Sequence, residues 1–167
     1  MDPQRTLGEK LDRLFASLAA GDCVRVLEIA CGKGAGTAAV YRHLMARQPG
    51  GAARLFCLDR DLGSLREARR RVANAGCPRV SLLGADLYRL PLPASSFDYA
   101  VAFNVFHAAD KRRFAHELWR VLKPGGVLLT CDRVPDLLAV PRLAMILDRE
   151  RLAMLGRGPL EPAAPHS

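Results

Sequence analysis

Apolar positions along the chain alternate between two spacings, one that suits buried strands and one that suits amphipathic helices. Val24 to Ala30 is a short, almost wholly apolar run between Gly21-Asp22 and a cluster of glycines, which predicts a strand covered on both faces. Glu28 is its one acid. From Gly36 to about Arg47 the period turns helical, with Ala39, Val40 and Leu44 on one side, until Pro49-Gly50-Gly51 ends it. Arg54 to Leu58 reads as a second strand closing on Asp59. Ser64-Leu65-Arg66-Glu67 has the capping-box pattern and opens a basic helix that stops at Asn74-Ala75-Gly76. Val80 to Leu83 is a third strand, followed by Gly84-Ala85-Asp86, and Pro91 and Pro93 punctuate a loop. Phe97 to Phe103 is a fourth strand. Asp110 caps a helix with Phe114, Leu118, Trp119 and Leu122 as its apolar stripe, and Pro124-Gly125-Gly126 leads into a fifth strand, Val127 to Cys131. Ahead of all this, Thr6-Leu7-Gly8-Glu9 reads as a capping box, and Leu7, Leu11, Leu14, Phe15 and Leu18 recur at helical spacing up to Gly21.

Strands this apolar, alternating with helices, imply an α/β, Rossmann-like doubly wound fold: a mainly parallel sheet with helices on both faces. The expected organisation is one domain over residues 1–157, made of a leading helix (1–20), a core (24–134) and a C-terminal helical segment (135–157), with a frayed tail over 158–167. Leu137, Leu138, Val140, Leu143, Met145, Ile146, Leu152 and Met154 give Val134 to Leu155 the apolar content of a helix. The fifth strand is then expected to be a free edge that the C-terminal helix, a second copy of the chain or a partner subunit would cover.

Composition narrows the picture. Half of the 167 residues are apolar, enough for a core without disulfides or metals. The five cysteines form no C-x-x-C pair and no histidine lies at ligand spacing, so reduced thiols, no metal and a cytoplasmic location are expected. No run is long enough for a membrane span, and the N-terminus lacks a signal-like apolar stretch. The charge of +8 suits an anionic partner, but arginine outnumbers lysine about five to one amid abundant alanine, a bias that high-GC coding alone produces. Arg66, Arg69, Arg70 and Arg71 read as a solvated helix face, so nucleic acid is disfavoured without being excluded.

A strand, a glycine turn, a helix, a second strand and then an acid are the parts that cradle an adenosine cofactor. Gly32, Gly34 and Gly36 do not fit the dinucleotide fingerprint, whose third glycine would fall at Thr37, and no Gly-Lys-Ser/Thr phosphate clamp is present. Glu28 is the sharper discriminator. A carboxylate beside the turn repels a pyrophosphate but suits a cofactor with ammonium and sulfonium charge. Glu28-Ile29-Ala30-Cys31-Gly32-Lys33-Gly34 resembles the first motif of the class I S-adenosylmethionine-dependent methyltransferases. Gly84-Ala85-Asp86, Leu90-Pro91-Leu92-Pro93, Ser96-Phe97-Asp98, Asn104-Val105-Phe106-His107 and Arg120-Val121-Leu122-Lys123-Pro124-Gly125-Gly126 follow in that family's order. The resemblance spans roughly Val24 to Val134 and is nearest to the small-molecule branch that includes ubiquinone- and menaquinone-type C-methyltransferases.

The resemblance implies S-adenosyl-L-methionine as cofactor, S-adenosyl-L-homocysteine as product and a small-molecule methyl acceptor. It places Glu28, Ala30, Cys31, Gly32 and Gly34 around the methionyl and ribose portion, with the two glycines leaving room for the ligand. Asp59, with Arg60 beside it, falls at the ribose hydroxyls. Asp86 and the Leu87 amide fall at the adenine, and Asn104 faces the transferring methyl. Asp61 is the competing acid near the ribose, assigned instead to the loop or to the first turn of the following helix. His107 is the candidate base, with a packing role as its alternative. The sequence departs from the family in carrying no Asn/Asp-Pro-Pro-Tyr, no substrate lid and no pattern for the last two strands of the sheet. Besides methyl transfer this leaves open a shortened, weakly catalytic or non-catalytic partner subunit and, more remotely, a nicotinamide enzyme.

Overall fold

The computed structural model describes residues 3–19, 23–105, 109–132 and 143–148. In chain order the elements are α1 (Pro3–Leu14), β1 (Arg25–Ile29), α2 (Thr37–Arg47), β2 (Arg54–Asp59), α3 (Leu62–Asn74), β3 (Val80–Gly84), β4 (Phe97–Phe103), α4 (Lys111–Val121), β5 (Leu122–Asp132) and β6 (Leu143–Asp148). The strands form one sheet in the order β3-β2-β1-β4-β5-β6. The first five are parallel and β6 is antiparallel to β5. Strand order reverses between β1 and β4, so the chain leaves these neighbours in opposite directions and opens a crevice outside their carboxyl ends.

Each face of the sheet carries its own core. Val26, Leu55, Cys57, Val101 and Leu129 meet α1 with the turn after it, α2 and α3 through Leu11, Phe15, Val40, Leu44, Leu65 and Val72. The alternate positions Leu27, Ile29, Leu58, Ala100, Ala102 and Leu128 meet α4 through Phe114, Leu118 and Val121. Both faces being covered is why β1, β2, β4 and β5 lack polar alternation. At the amino end of the sheet, the Arg25 guanidinium lies 4.9 Å from the Phe56 ring centre and 5.0 Å from that of Phe97, a cation–π sandwich that joins β1, β2 and β4.

The largest correction concerns the C-terminal segment. Leu143–Asp148, expected as helix, is strand β6, paired with β5 from Asp132↔Leu143 to Val127↔Asp148. Leu143-Ala144-Met145-Ile146-Leu147 is a continuous apolar run, which periodicity cannot divide between helix and strand. The unpaired N–H and C=O groups along β5 decide the matter. The edge that seemed to need a partner is therefore covered by the chain itself, and one of the two strands that seemed missing is present. The rest of 135–157 and the tail over 158–167 lie outside the described residues.

Smaller corrections follow from competition among caps and faces. Helix α3 opens at Asp61, whose carboxylate accepts from the Gly63 and Ser64 amides and from the Ser64 hydroxyl, so Ser64 supports the cap rather than forming it. Helix α1 begins at Pro3, ahead of the expected cap at Thr6. Trp119 is 37% exposed, because the buried stripe of α4 runs through Phe114, Ala115, Leu118 and Val121 and leaves Trp119 one step to its side. Strand β5 starts at Leu122, earlier than expected. Its pairing jumps from Phe97↔Leu122 to Tyr99↔Val127, so the Pro124-Gly125-Gly126 turn is absorbed as a bulge.

The long β3–β4 connection is held to α4 by an ionic clamp. Arg120 donates to the carbonyls of Leu90 (2.8 Å) and Leu92 (2.7 Å) and to Glu117, which in turn accepts from the Leu90 amide at 2.8 Å. Tyr88 extends the tie: its hydroxyl accepts from the Asp110 amide at 2.8 Å, and Arg113 lies over its ring. Replacing Arg120 by Met keeps the aliphatic stem but orphans two carbonyls and Glu117. We expect a loss of about 2–3 kcal/mol in urea unfolding, with amide exchange accelerating first at Leu90.

Candidate active site

Parallel register sets the carboxyl ends of the strands side by side, with Ile29 level with Leu58 and Ala102, and Asp59 level with Gly84. Two residues that leave this edge are left-handed without being glycine: Ala30 at φ 51° and Asn104 at φ 56°. For alanine this costs on the order of 1 kcal/mol. The backbone around them is nonetheless pinned, since the Cys31 amide donates to the Leu58 carbonyl and the Asn104 amide to the Cys131 carbonyl, each at 2.9 Å. Neighbouring strands at the switch point thus end in matched, strained turns that aim main-chain groups at the crevice.

The glycine turn is fastened to β2. Asp59 accepts from the Gly32 amide through one carboxylate oxygen (2.7 Å) and from the Asp61 amide through the other (2.9 Å). Each oxygen retains the capacity to accept a second hydrogen bond. Gly32 has φ 53° and nothing within 4 Å of the place a Cβ would occupy, so its outer side is open. Gly34 differs in its surroundings: a Cβ there would stand 3.2 Å from the backbone of Ala68, so α3 packs closely against it. Asp86 is exposed in a turn of its own, one oxygen accepting from the Tyr88 amide at 2.9 Å. Leu87 is half-buried beside it, and Arg60 is exposed just after β2.

Glu28 is the electrostatic centre. It is 1% exposed, and its carboxylate is held by the Thr37 hydroxyl at 2.7 Å and the Cys57 thiol at 3.2 Å, both neutral donors. No cation pairs with it among the described residues. Burial therefore dominates over these hydrogen bonds and raises its pKa from 4.5 to about 7. The same burial, with the nearby Glu28 charge, pushes the Cys31 thiol up to about 12 and raises that of Cys57, so neither is a nucleophile at neutral pH.

Above Glu28 opens a cavity of about 490 Å³ lined by Ala30, Cys31, Asn104 and Cys131 from the strand ends and by α1 and α2 on its far side. It brings together Glu28, Ala30, Cys31 and Asn104 of the expected site. Gly32, Gly34, Asp59, Arg60, Asp86 and Leu87 do not line it. His107 lies outside the described residues. The reading from sequence missed Thr37 and Cys57 as the partners of Glu28, Gly36 as the close support under Phe103, and the α2 wall. In the sequence Thr37 stands out only as an absent third glycine, yet a hydroxyl nine residues after a buried acid is a usable signal.

The comparisons with known proteins bear on this geometry. Residues 26–126, more than half of the chain, match the family model described as a methyltransferase domain. The chain belongs to the methyltransferase domain family. This methyltransferase domain is 32% identical over 108 residues to a demethylmenaquinone methyltransferase of Listeria monocytogenes, covering 64% of the chain and 44% of that relative. It is 34% identical over 109 residues to a protein of the same name from Clavibacter sepedonicus, covering 65% and 40%. The chain thus spans less than half the length of these relatives. In fold it is similar to a SAM-dependent methyltransferase from Aquifex aeolicus (TM-score 0.63, 24% identity, 83% of this chain and 72% of that one). It is also similar to the [4+2]-cyclase SpnF (TM-score 0.66, 24% identity, 94% and 57%).

The state of Glu28 makes the domain's stability pH-dependent in a known sense. A raised native pKa means that the folded chain holds more protons than the unfolded one between about pH 4.5 and 7, so this contribution is full at low pH and is lost as pH rises through 7. Glu28→Gln removes the slope. In urea unfolding the variant should gain up to about 3 kcal/mol over the parent at pH 8 and nothing at pH 4.5.

Proposed function

We propose that the chain binds S-adenosyl-L-methionine across the β1–β4 switch point and transfers its methyl group to a small-molecule acceptor, leaving S-adenosyl-L-homocysteine. The observation that carries this reading is Glu28, a buried carboxylate facing the cavity with only neutral donors about it. Such a group lacks a cation and is hostile to a phosphate, which fits an amino-acid sulfonium ligand and argues against a dinucleotide. The open outer side of Gly32 and the unspent lone pairs of Asp59 fit a ribose alongside.

In this reading the cofactor, when bound, supplies a methyl group already activated by its positive sulfur, so the protein's work is placement. Glu28 balances the charge of the methionyl end. The main chain at Ala30, Cys31 and Gly32 carries that end past the turn. Asp59 takes the ribose hydroxyls, while Asp86 and the Leu87 amide take the adenine edge. Asn104, held left-handed, turns its backbone toward the acceptor, and His107 is the base we propose where the acceptor has a proton to lose. An intact Glu28, Asp59 and Asp86 supports catalysis over a purely structural subunit. No helix among the described residues is long and apolar enough to cross a membrane, and five free cysteines, four of them buried, support placement in a reducing compartment such as the cytoplasm.

Titration calorimetry with S-adenosylmethionine and S-adenosylhomocysteine tests the reading. Both should bind, and near pH 7 the heat should depend on the buffer's ionisation enthalpy, because a cation beside Glu28 expels its proton. Asp59→Ala should weaken binding at least tenfold, about 1.4 kcal/mol. Absence of binding to the parent protein at millimolar ligand would overturn it.

A further inference from the structure

The cavity is larger than its cofactor-facing edge, and its charges are segregated. Glu28 sits at the strand end. The far wall is formed by Leu7 and Gly8 of α1 and by Ala35, Ala38, Ala39, Arg42 and His43 along α2 and its approach. Between the two ends the lining is small or apolar. Arg42 is exposed and has no carboxylate partner among the described residues, whereas its neighbour His43 is committed, with Nδ1 at 2.9 Å from an Asp12 oxygen and its Nε2 edge turned to Gly8. Helical side chains lean toward the N-terminus of their helix, so Arg42 reaches back over Ala38, one turn before it, toward the cavity. The start of α2, where Gly36 is the N-cap without a side-chain hydrogen bond, lies at the Glu28 end, with Thr37 giving its hydroxyl to that acid, so the positive character of the far wall comes from Arg42.

We propose that the α2 wall is the docking subsite for the methyl acceptor and that Arg42 selects an acceptor carrying an oxyanion, either carboxylate or phosphate, on a small apolar body. This rests on the methyltransferase reading above. Arg42 lies six residues beyond Gly36, about 9 Å of helix rise, so a ligand whose cation is held at Glu28 leaves the far end of the cavity to a second molecule. The small side chains of Ala35, Ala38 and Ala39 leave the width for that molecule's body, and His43, fixed by Asp12, closes the side next to α1. A guanidinium fork suits both carboxylate and phosphate oxygens.

The test uses the protein saturated with S-adenosylhomocysteine and titrated, with ligand-observed NMR as the readout, with benzoate, hexanoate and phenyl phosphate beside the neutral benzamide, hexanamide and phenol. At least one oxyanion should bind at least tenfold more tightly than its neutral counterpart, with an affinity that falls as salt rises. Arg42→Gln should abolish that preference and Arg42→Lys should retain part of it, while both keep the parent's affinity for S-adenosylhomocysteine. Equal binding of neutral and anionic probes, no binding by any probe, or a preference that survives Arg42→Gln overturns the proposal. A loss of S-adenosylhomocysteine affinity in Arg42→Gln also overturns it, by assigning the arginine to the cofactor's own carboxylate. Failure of the parent protein to bind S-adenosylhomocysteine at all strikes the methyltransferase reading instead, and is seen before any probe is added.

Discussion

One buried carboxylate organises the molecule. Glu28 on β1 takes a hydroxyl from the first turn of α2 and a thiol from β2, so one side chain ties three elements together at the carboxyl end of the sheet. Burying an acid without a cation is costly. The fold tolerates the cost because the surrounding core, Val26 to Ile29 and Leu55 to Leu58, is packed on both faces. The strain is local and lies where a ligand of opposite charge would relieve it.

A second set of constraints keeps the remaining edge of the crevice in place. Asp59 pins the glycine turn, Asp61 caps α3, Asp86 shapes its own turn and Asp110 caps α4. Each of these acids satisfies backbone amides at the point where a strand hands over to a loop or helix. The Arg120–Glu117 clamp then holds the long β3–β4 connection against α4. The crevice is thus bounded by loops whose polar groups are largely spent on one another, which keeps it shaped before any ligand arrives.

Much of this was legible in the sequence. The strands β1, β2, β4 and β5 are apolar enough to announce burial on both faces, β3 being a half-exposed edge strand, and the Glu28 turn, Asp59 and Asp86 lie where strand ends were expected. What sequence could not show is pairing at a distance. The Thr37 and Cys57 contacts depend on register between β1 and β2, and the sorting of Gly32 from Gly34 depends on how closely α3 approaches. Trp119 was misassigned because one step around a helix moves a side chain by about 100°. The strand at Leu143–Asp148 escaped because a run of consecutive apolar residues carries no period, and only the open edge of β5 determines its form.

The antiparallel course of β6 has a consequence for how such a domain diversifies. Asp132 pairs with Leu143, so the chain departs from and returns to the sheet on the crevice side, with both ends of that connection anchored by register. Lengthening a connection anchored in this way is thermodynamically cheap, about 0.6 kcal/mol for each doubling. A chain built on this sheet can therefore take up insertions between β5 and β6 at little cost while β1 through β6 and the buried acid stay as they are.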